Sequence, residues 1–145
     1  MADFVQSSHT LFVPTSGKGF IEISQGLRSW LDGISAENGL LTVFVCHTSA
    51  SLTIQENADP AVRHDLMAAL DGLAPEHGPY AHAEEGPDDM PSHIKSMLTS
   101  VSLSIPIKDG RMVLGQWQGV YLIEHRTEPH ERTIALNFIG HSAEA

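Results

Sequence analysis

The stretch FVCHTSASLTIQENADP, residues 44–60, decides how the chain folds. Taken with a period of two, it separates into two rows. His47, Ser49, Ser51, Thr53 and Gln55 form a polar row, and Cys46, Thr48, Ala50, Leu52 and Ile54 a mostly apolar one. In a β-strand such rows lie on opposite faces. The stretch therefore predicts a strand on which His47 and Ser49 face one way and Cys46 the other. The preceding run GLLTVFVC, residues 39–46, has the length and composition of a buried strand and leads straight into it.

The strand pattern stops at Asp59-Pro60. Asp at the cap with Pro in the first helical position starts a helix. Val62, Leu66, Leu70 and Leu73 follow at helical spacing and predict an amphipathic helix over 60–73. Upstream, residues 8–13 and 19–23 predict short strands, and 24–34 a short helix with Ser24 as its cap. Downstream, residues 74–90 carry Pro, Gly and acids without periodicity and predict a long loop, a place where function concentrates. A short helix over 91–99 follows. Strands are predicted over 101–107, 111–126 and 132–139, with a turn at Lys108-Asp109-Gly110 and close-approach points at Gly115 and Gly119. Strands dominate, so the fold class is a β-rich α+β domain spanning 1–145, built on two layers.

The formal net charge is -10, with only eight Lys and Arg. Such a chain has no general attraction to nucleic acid or anionic membrane. Its single cysteine forms no internal disulfide, MADFVQSSHTLF lacks the features of a secretion signal, and no apolar run reaches the roughly 20 residues of a membrane span. The expectation is a cytoplasmic protein without nucleic-acid or membrane partners.

Nine histidines are the compositional anomaly. Cys46 and His47 are adjacent, but strand geometry sends them apart, which leaves Cys46 as a small buried apolar residue and disfavours a thiol–imidazole pair. His47 and Ser49 share a face, yet no nucleophile elbow frames them. No zinc spacing such as H-E-x-x-H is present. The segment EEGPDDMPSH, residues 84–93, reads on pattern as a solvated acidic loop capping the next helix. The rival reading is oxygen ligands or a base beside a histidine. Trp117 between two glycines reads as core or as a ligand platform, and Glu124 and Arg126 share a strand face and can pair.

Three segments go further together: HTSASLTIQENADPAVRHDL (47–66), EEGPDDMPSHIKSML (84–98) and LSIPIKDGRMVLGQWQGVYLIEHR (103–126). In combination they resemble the YjbQ family, also labelled secondary thiamine-phosphate synthase. The resemblance implies a jelly-roll-like two-layer β-sandwich with two or three short helices, a homotrimer, and a metal-associated pocket near the subunit contacts. It implies an activity that joins a pyrimidine pyrophosphate to a thiazole phosphate and releases pyrophosphate. Carried over by position, it implies His47, His82 and His93 as ligands of a divalent metal, zinc or magnesium. Glu56, His47 and Ser49 become catalytic. Thr48, Asn57, Lys95, Trp117, Gln118, Glu124 and Arg126 become contacts to a small phosphorylated substrate, with Lys95 and Arg126 facing its anionic groups and Trp117 stacking on a ring. Family members vary at His125, which leaves its part in the metal site open. The alternative is a non-catalytic trimeric module that binds a metal or small anion.

Overall fold

In the computed structural model, which describes residues 4–143, the opening stretch is not one strand. The chain runs as β3 (Ala36–Val45), turns through Cys46–Ser49, and enters a different sheet as β4 (Ala50–Glu56). The bend is anchored on both sides. Val45 N–H donates to Val101 O and Cys46 N–H to Thr133 O, while Leu52 N–H donates to Ser100 O. Val45 and Ala50 are buried on either side and lie five residues apart, so the buried row switches from odd positions in β3 (Leu41, Val43, Val45) to even ones in β4 (Ala50, Leu52). Through the corner His47 and Ser49 still face one way, half-buried, and Cys46 and Thr48 the other, but Cys46 is exposed rather than buried.

The remaining elements are β1 (Phe4–Thr15), β2 (Gly19–Glu22), α1 (Ser24–Gly33), α2 (Pro60–Leu73), α3 (Asp89–Leu98), β5 (Ser102–Lys108), β6 (Arg111–Met112), β7 (Gln118–Glu124) and β8 (His130–Ser142). A five-stranded sheet has the order β1-β8-β3-β5-β6 and a three-stranded sheet the order β2-β7-β4. All recorded pairings are antiparallel. Both sheets feed one core. Leu41, Val43, Ile134, Leu136 and Phe138 come from the larger sheet, Leu52, Val120 and Leu122 from the smaller, and Leu27 and Leu31 from α1. The β-rich α+β class with a few short helices is therefore observed. Among the described residues no helix is long and apolar enough to cross a membrane.

Local chemistry explains where the elements start and stop. α2 begins at Pro60 as expected, with the Asp59 carboxylate accepting from Ala61 N–H at 2.9 Å. Its apolar stripe is only partly covered, since the helix contains no buried residue. α3 starts at Asp89, ahead of Pro91. A proline in the first turn loses no helical hydrogen bond, because those N–H groups have no partner within the helix. Ser24 does not cap α1. Ile23 holds that position, and the Ser24 hydroxyl bonds Glu22 and accepts from Val120 N–H.

The long strand expected over 111–126 is broken. Asp109 (φ 52) and Gly110 (φ 79) form the two-residue turn between β5 and β6. The chain then leaves the larger sheet, and a turn at Gly115–Gln118 delivers it to β7 in the smaller one. Trp117 sits on that turn and is 57% exposed, so it is not a core residue.

Gly39 and Gly140 face each other across β3 and β8. A Cβ on Gly140 would lie 2.2 Å from Asn38 O, and one on Gly39 2.3 Å from Ile139 O. Both obstacles are backbone atoms held in the ladder. Gly140→Ala is expected to cost about 2 kcal/mol, at the level of core overpacking. Thermal unfolding reads this directly, and an unchanged Tm would show that the two strands separate freely there.

Candidate metal centre and the separated site residues

α3 opens with Asp89 and carries His93 one turn later, so the two side chains lie on one helix face. An acid in the first turn also complements the positive end of the helix dipole. The preceding loop brings His82 to the same place. His82 Nε2 lies 2.6 Å from Asp89 Oδ2, and His93 Nε2 lies 3.2 Å from the same oxygen. The two rings meet edge to face, with centroids 5.6 Å apart. The three donor atoms lie within 4.8 Å of one another. Asp89 is itself buried, and its other oxygen, Oδ1, accepts from Arg126. Arg126 also donates to Asp88 at 3.0 Å and to Glu85 O at 2.9 Å, and Asp88 accepts from Thr127 N–H. The EEGPDDMPSH segment is thus not a solvated loop at its centre, because Asp88 and Asp89 are turned inward onto a guanidinium.

The protonation energetics follow. The bond to Asp89 holds the His82 imidazole above its ordinary value. Burial pushes Asp89 upward, but the bond to His82 and the charges of Arg126 and His93 outweigh it and keep the carboxyl below its usual range. Two imidazole nitrogens and one carboxylate oxygen suit a borderline divalent ion with a position left open. Cavities of about 410 Å³ beside His82 and about 460 Å³ beside His93 flank the group.

The structure divides the other expected site residues. His47 does not join His82 and His93 within the chain. Its Nε2 accepts from Thr133 N–H at 2.8 Å on β8, and burial followed by the charge of Arg132 holds its pKa down. Ser49 turns the same way, with its hydroxyl accepting from Arg132 at 3.0 Å. Thr48 lines the cavity beside His93. Glu124 pairs with Arg132 rather than with the Arg126 side chain, and only the Arg126 backbone N–H reaches it. Lys95 is buried, with Nζ 2.6 Å from Asp71. Neither Lys95 nor Arg126 is a free cation.

Glu56, Asn57, Trp117 and Gln118 lie elsewhere. Ala50 pairs with Glu124 at one end of the β4–β7 ladder and Glu56 with Gln118 at the other. Six residue steps separate the ends, roughly 20 Å at strand rise. Within one chain the Trp117 group and the His82–Asp89–His93 group are therefore two separate places.

Sequence reasoning offered the carboxylates of 84–93 together as oxygen ligands without singling out Asp89, and left the setting of His125 undetermined. An Asp four residues before a His at a helix start was the readable signal for Asp89. His125 Nε2 lies 2.8 Å from the Ser51 hydroxyl, the ring is buried, and Nδ1 has no hydrogen-bond partner among the described residues. Burial and then the Lys95 charge lower its pKa to about 4.

Fold and site define a β-rich α+β protein whose helical loop region assembles a His/Asp/His donor set. The chain belongs to the UPF0047 YjbQ-like family, which it matches over residues 9–141. It is 47% identical to a UPF0047 protein of Synechocystis over 96% of this chain and 95% of that one. It is 42% identical to the UPF0047 protein YjbQ of Salmonella typhimurium over 90% and 96%. A crystal structure from Thermus thermophilus superposes with a TM-score of 0.78 at 39% identity, covering 88% of this chain and 97% of that one. A Sulfolobus solfataricus structure reaches a TM-score of 0.83 at 16% identity over 94% and 99%, a likeness of fold.

Proposed function

We propose that the protein is a metal-assisted enzyme acting on a small phosphorylated substrate, with thiamine-phosphate-synthase-like transfer as its reaction. The observation that carries this reading is the convergence of His82 Nε2, His93 Nε2 and Asp89 Oδ2 within 4.8 Å. These three residues would hold the ion. A bound divalent metal supplies charge neutralisation for a departing pyrophosphate. Arg126 fixes Asp89 through Oδ1 and leaves Oδ2 facing the imidazoles. Thr48 offers a hydroxyl in the cavity that His93 lines. The same reading takes the two-layer sandwich as jelly-roll-like and the assembly as a homotrimer. Phe12, Leu40, Phe44 and Ile139, exposed apolar side chains of the larger sheet, support association, and a solution mass of one chain would remove that part.

Purified protein is expected to retain or take up zinc. His93→Ala should weaken uptake by more than the roughly 10–100-fold that outer-shell partners cost. His47→Ala is expected to leave uptake unchanged, because that ring is engaged by Thr133. The two thiamine precursors, supplied with and without metal, test turnover. No product, with His93→Ala behaving like wild type in metal content, would end the enzyme reading. Metal uptake without product would favour the binding-module alternative.

A further inference from the structure

The eight cationic side chains can be followed one by one. Lys18 and Lys95 are held by Asp71, at 3.2 and 2.6 Å. Arg126 is held by Asp88 and Asp89, and Arg132 by Glu124. Arg63 donates to Glu56 O at 3.1 Å and lies over the Tyr121 ring. Arg28, Lys108 and Arg111 remain without an ion pair or side-chain hydrogen bond among the described residues. In a chain of net charge -10, carboxylates are plentiful, so an unpaired guanidinium is a notable use of a scarce residue.

Arg28 and Arg111 open onto the same cavity, of about 650 Å³, between α1 and the β5–β6 hairpin. That size suits a small ligand. Asp32 and Asp109 also line it, unpaired with either arginine. Asn57 and Gln118 line it too. The Gln118 carbonyl is taken by Gly115 N–H, which leaves its amide N–H₂ as a donor. Guanidinium groups recognise phosphate oxygens with directed paired hydrogen bonds, and unpaired carboxylates beside them accept N–H or ammonium donors. The cavity sits at the Gln118 end of β7, while the metal donor set packs toward the Glu124 end.

We propose that this cavity is a binding site for a small phosphate monoester that also carries an amine or N–H donor. Arg28 and Arg111 hold the phosphate, and Asp32 and Asp109 hold the donor. The proposal does not depend on the metal reading.

The test is calorimetric titration of the full chain, treated with EDTA and held at low salt, with O-phosphoethanolamine and separately with inorganic phosphate. The expected result is saturable binding of one phosphoethanolamine per chain, weakened at least tenfold by Arg28→Gln combined with Arg111→Gln. Arg28→Lys combined with Arg111→Lys should restore part of it and so separates recognition from folding. Asp32→Asn should weaken phosphoethanolamine more than inorganic phosphate. Lys108→Ala and His93→Ala should bind as wild type. Absence of saturable binding, or binding that survives the double Gln variant, would overturn the site. Loss in His93→Ala alone would move the ligand to the metal centre and overturn it equally.

Discussion

Arg132→Met is expected to destabilise the fold by about 3–5 kcal/mol, the cost of leaving a buried charge without its partner. Glu124 is fully buried, and its two oxygens are satisfied as a set. Arg132 donates to both, through Nε to Oε1 and Nη2 to Oε2. Thr15 adds a bond at 2.7 Å, and Arg126 N–H one at 3.1 Å. Burial alone would raise the Glu124 pKa, but the Arg132 and Thr15 bonds outweigh it and hold the carboxyl below its usual range. Removing the guanidinium reverses that balance, and the carboxylate must then ionise in a dry site or take up a proton. The double variant Arg132→Met with Glu124→Gln should recover part of the loss, since replacing both members of a buried pair is often close to neutral. Urea unfolding at pH 7 measures both. A single variant within about 1 kcal/mol of wild type, the range of an exposed ion pair, or a double variant no better than the single, would show that the pair is not what fixes β7 against β8.

This pair also shows why the site was only partly legible in the sequence. Local signals were readable. Asp59-Pro60 placed the start of α2, and Lys108-Asp109-Gly110 placed a hairpin turn, because each is set by the backbone preferences of adjacent residues. The corner at Cys46–Ser49 was hidden, since the run GLLTVFVC is apolar at nearly every position and so masks the change of buried phase between β3 and β4, which only pairing with different sheets reveals. Charge assignments were hidden for a similar reason. Lys95 finds Asp71 at 24 residues' separation and Arg126 finds Asp88 at 38. Neither partner can be chosen from spacing, which offers Arg126 only Glu124 and Lys95 none, so the substrate role that the resemblance implies for both cations met no objection in the sequence. Likewise the Trp117 and His93 segments each carry unlike polar residues, but only the β4–β7 register shows that they sit at opposite ends of a sheet.

Stability should rise with pH between about 4 and 6.5, and His125 should account for much of the slope. The ring is buried, and Ser51 engages Nε2 at 2.8 Å. Protonation would place an N–H on Nδ1, which has no acceptor among the described residues, beside the Lys95 charge. The folded pKa is accordingly depressed to about 4. In the unfolded chain the same ring titrates near about 6.5. Between these values the unfolded state binds a proton that the folded state refuses, so acid favours unfolding. The contribution is present above the unfolded value and is lost as pH falls toward the folded one. Its full size is about 3 kcal/mol, of which about 2 should be gone by pH 5. His47, also depressed, acts in the same direction. His82, whose pKa is raised, acts in the opposite one, and the carboxylates Asp88, Asp89 and Glu124 lose their contribution only at lower pH. His125→Gln isolates the effect. The variant loses stability at pH 7, but the difference between its unfolding free energies at pH 7 and pH 5 should be about 2 kcal/mol smaller than in wild type. Equal differences in the two proteins would mean that His125 takes up its proton in the folded state, with a rearranged Ser51 and a new partner for Nδ1.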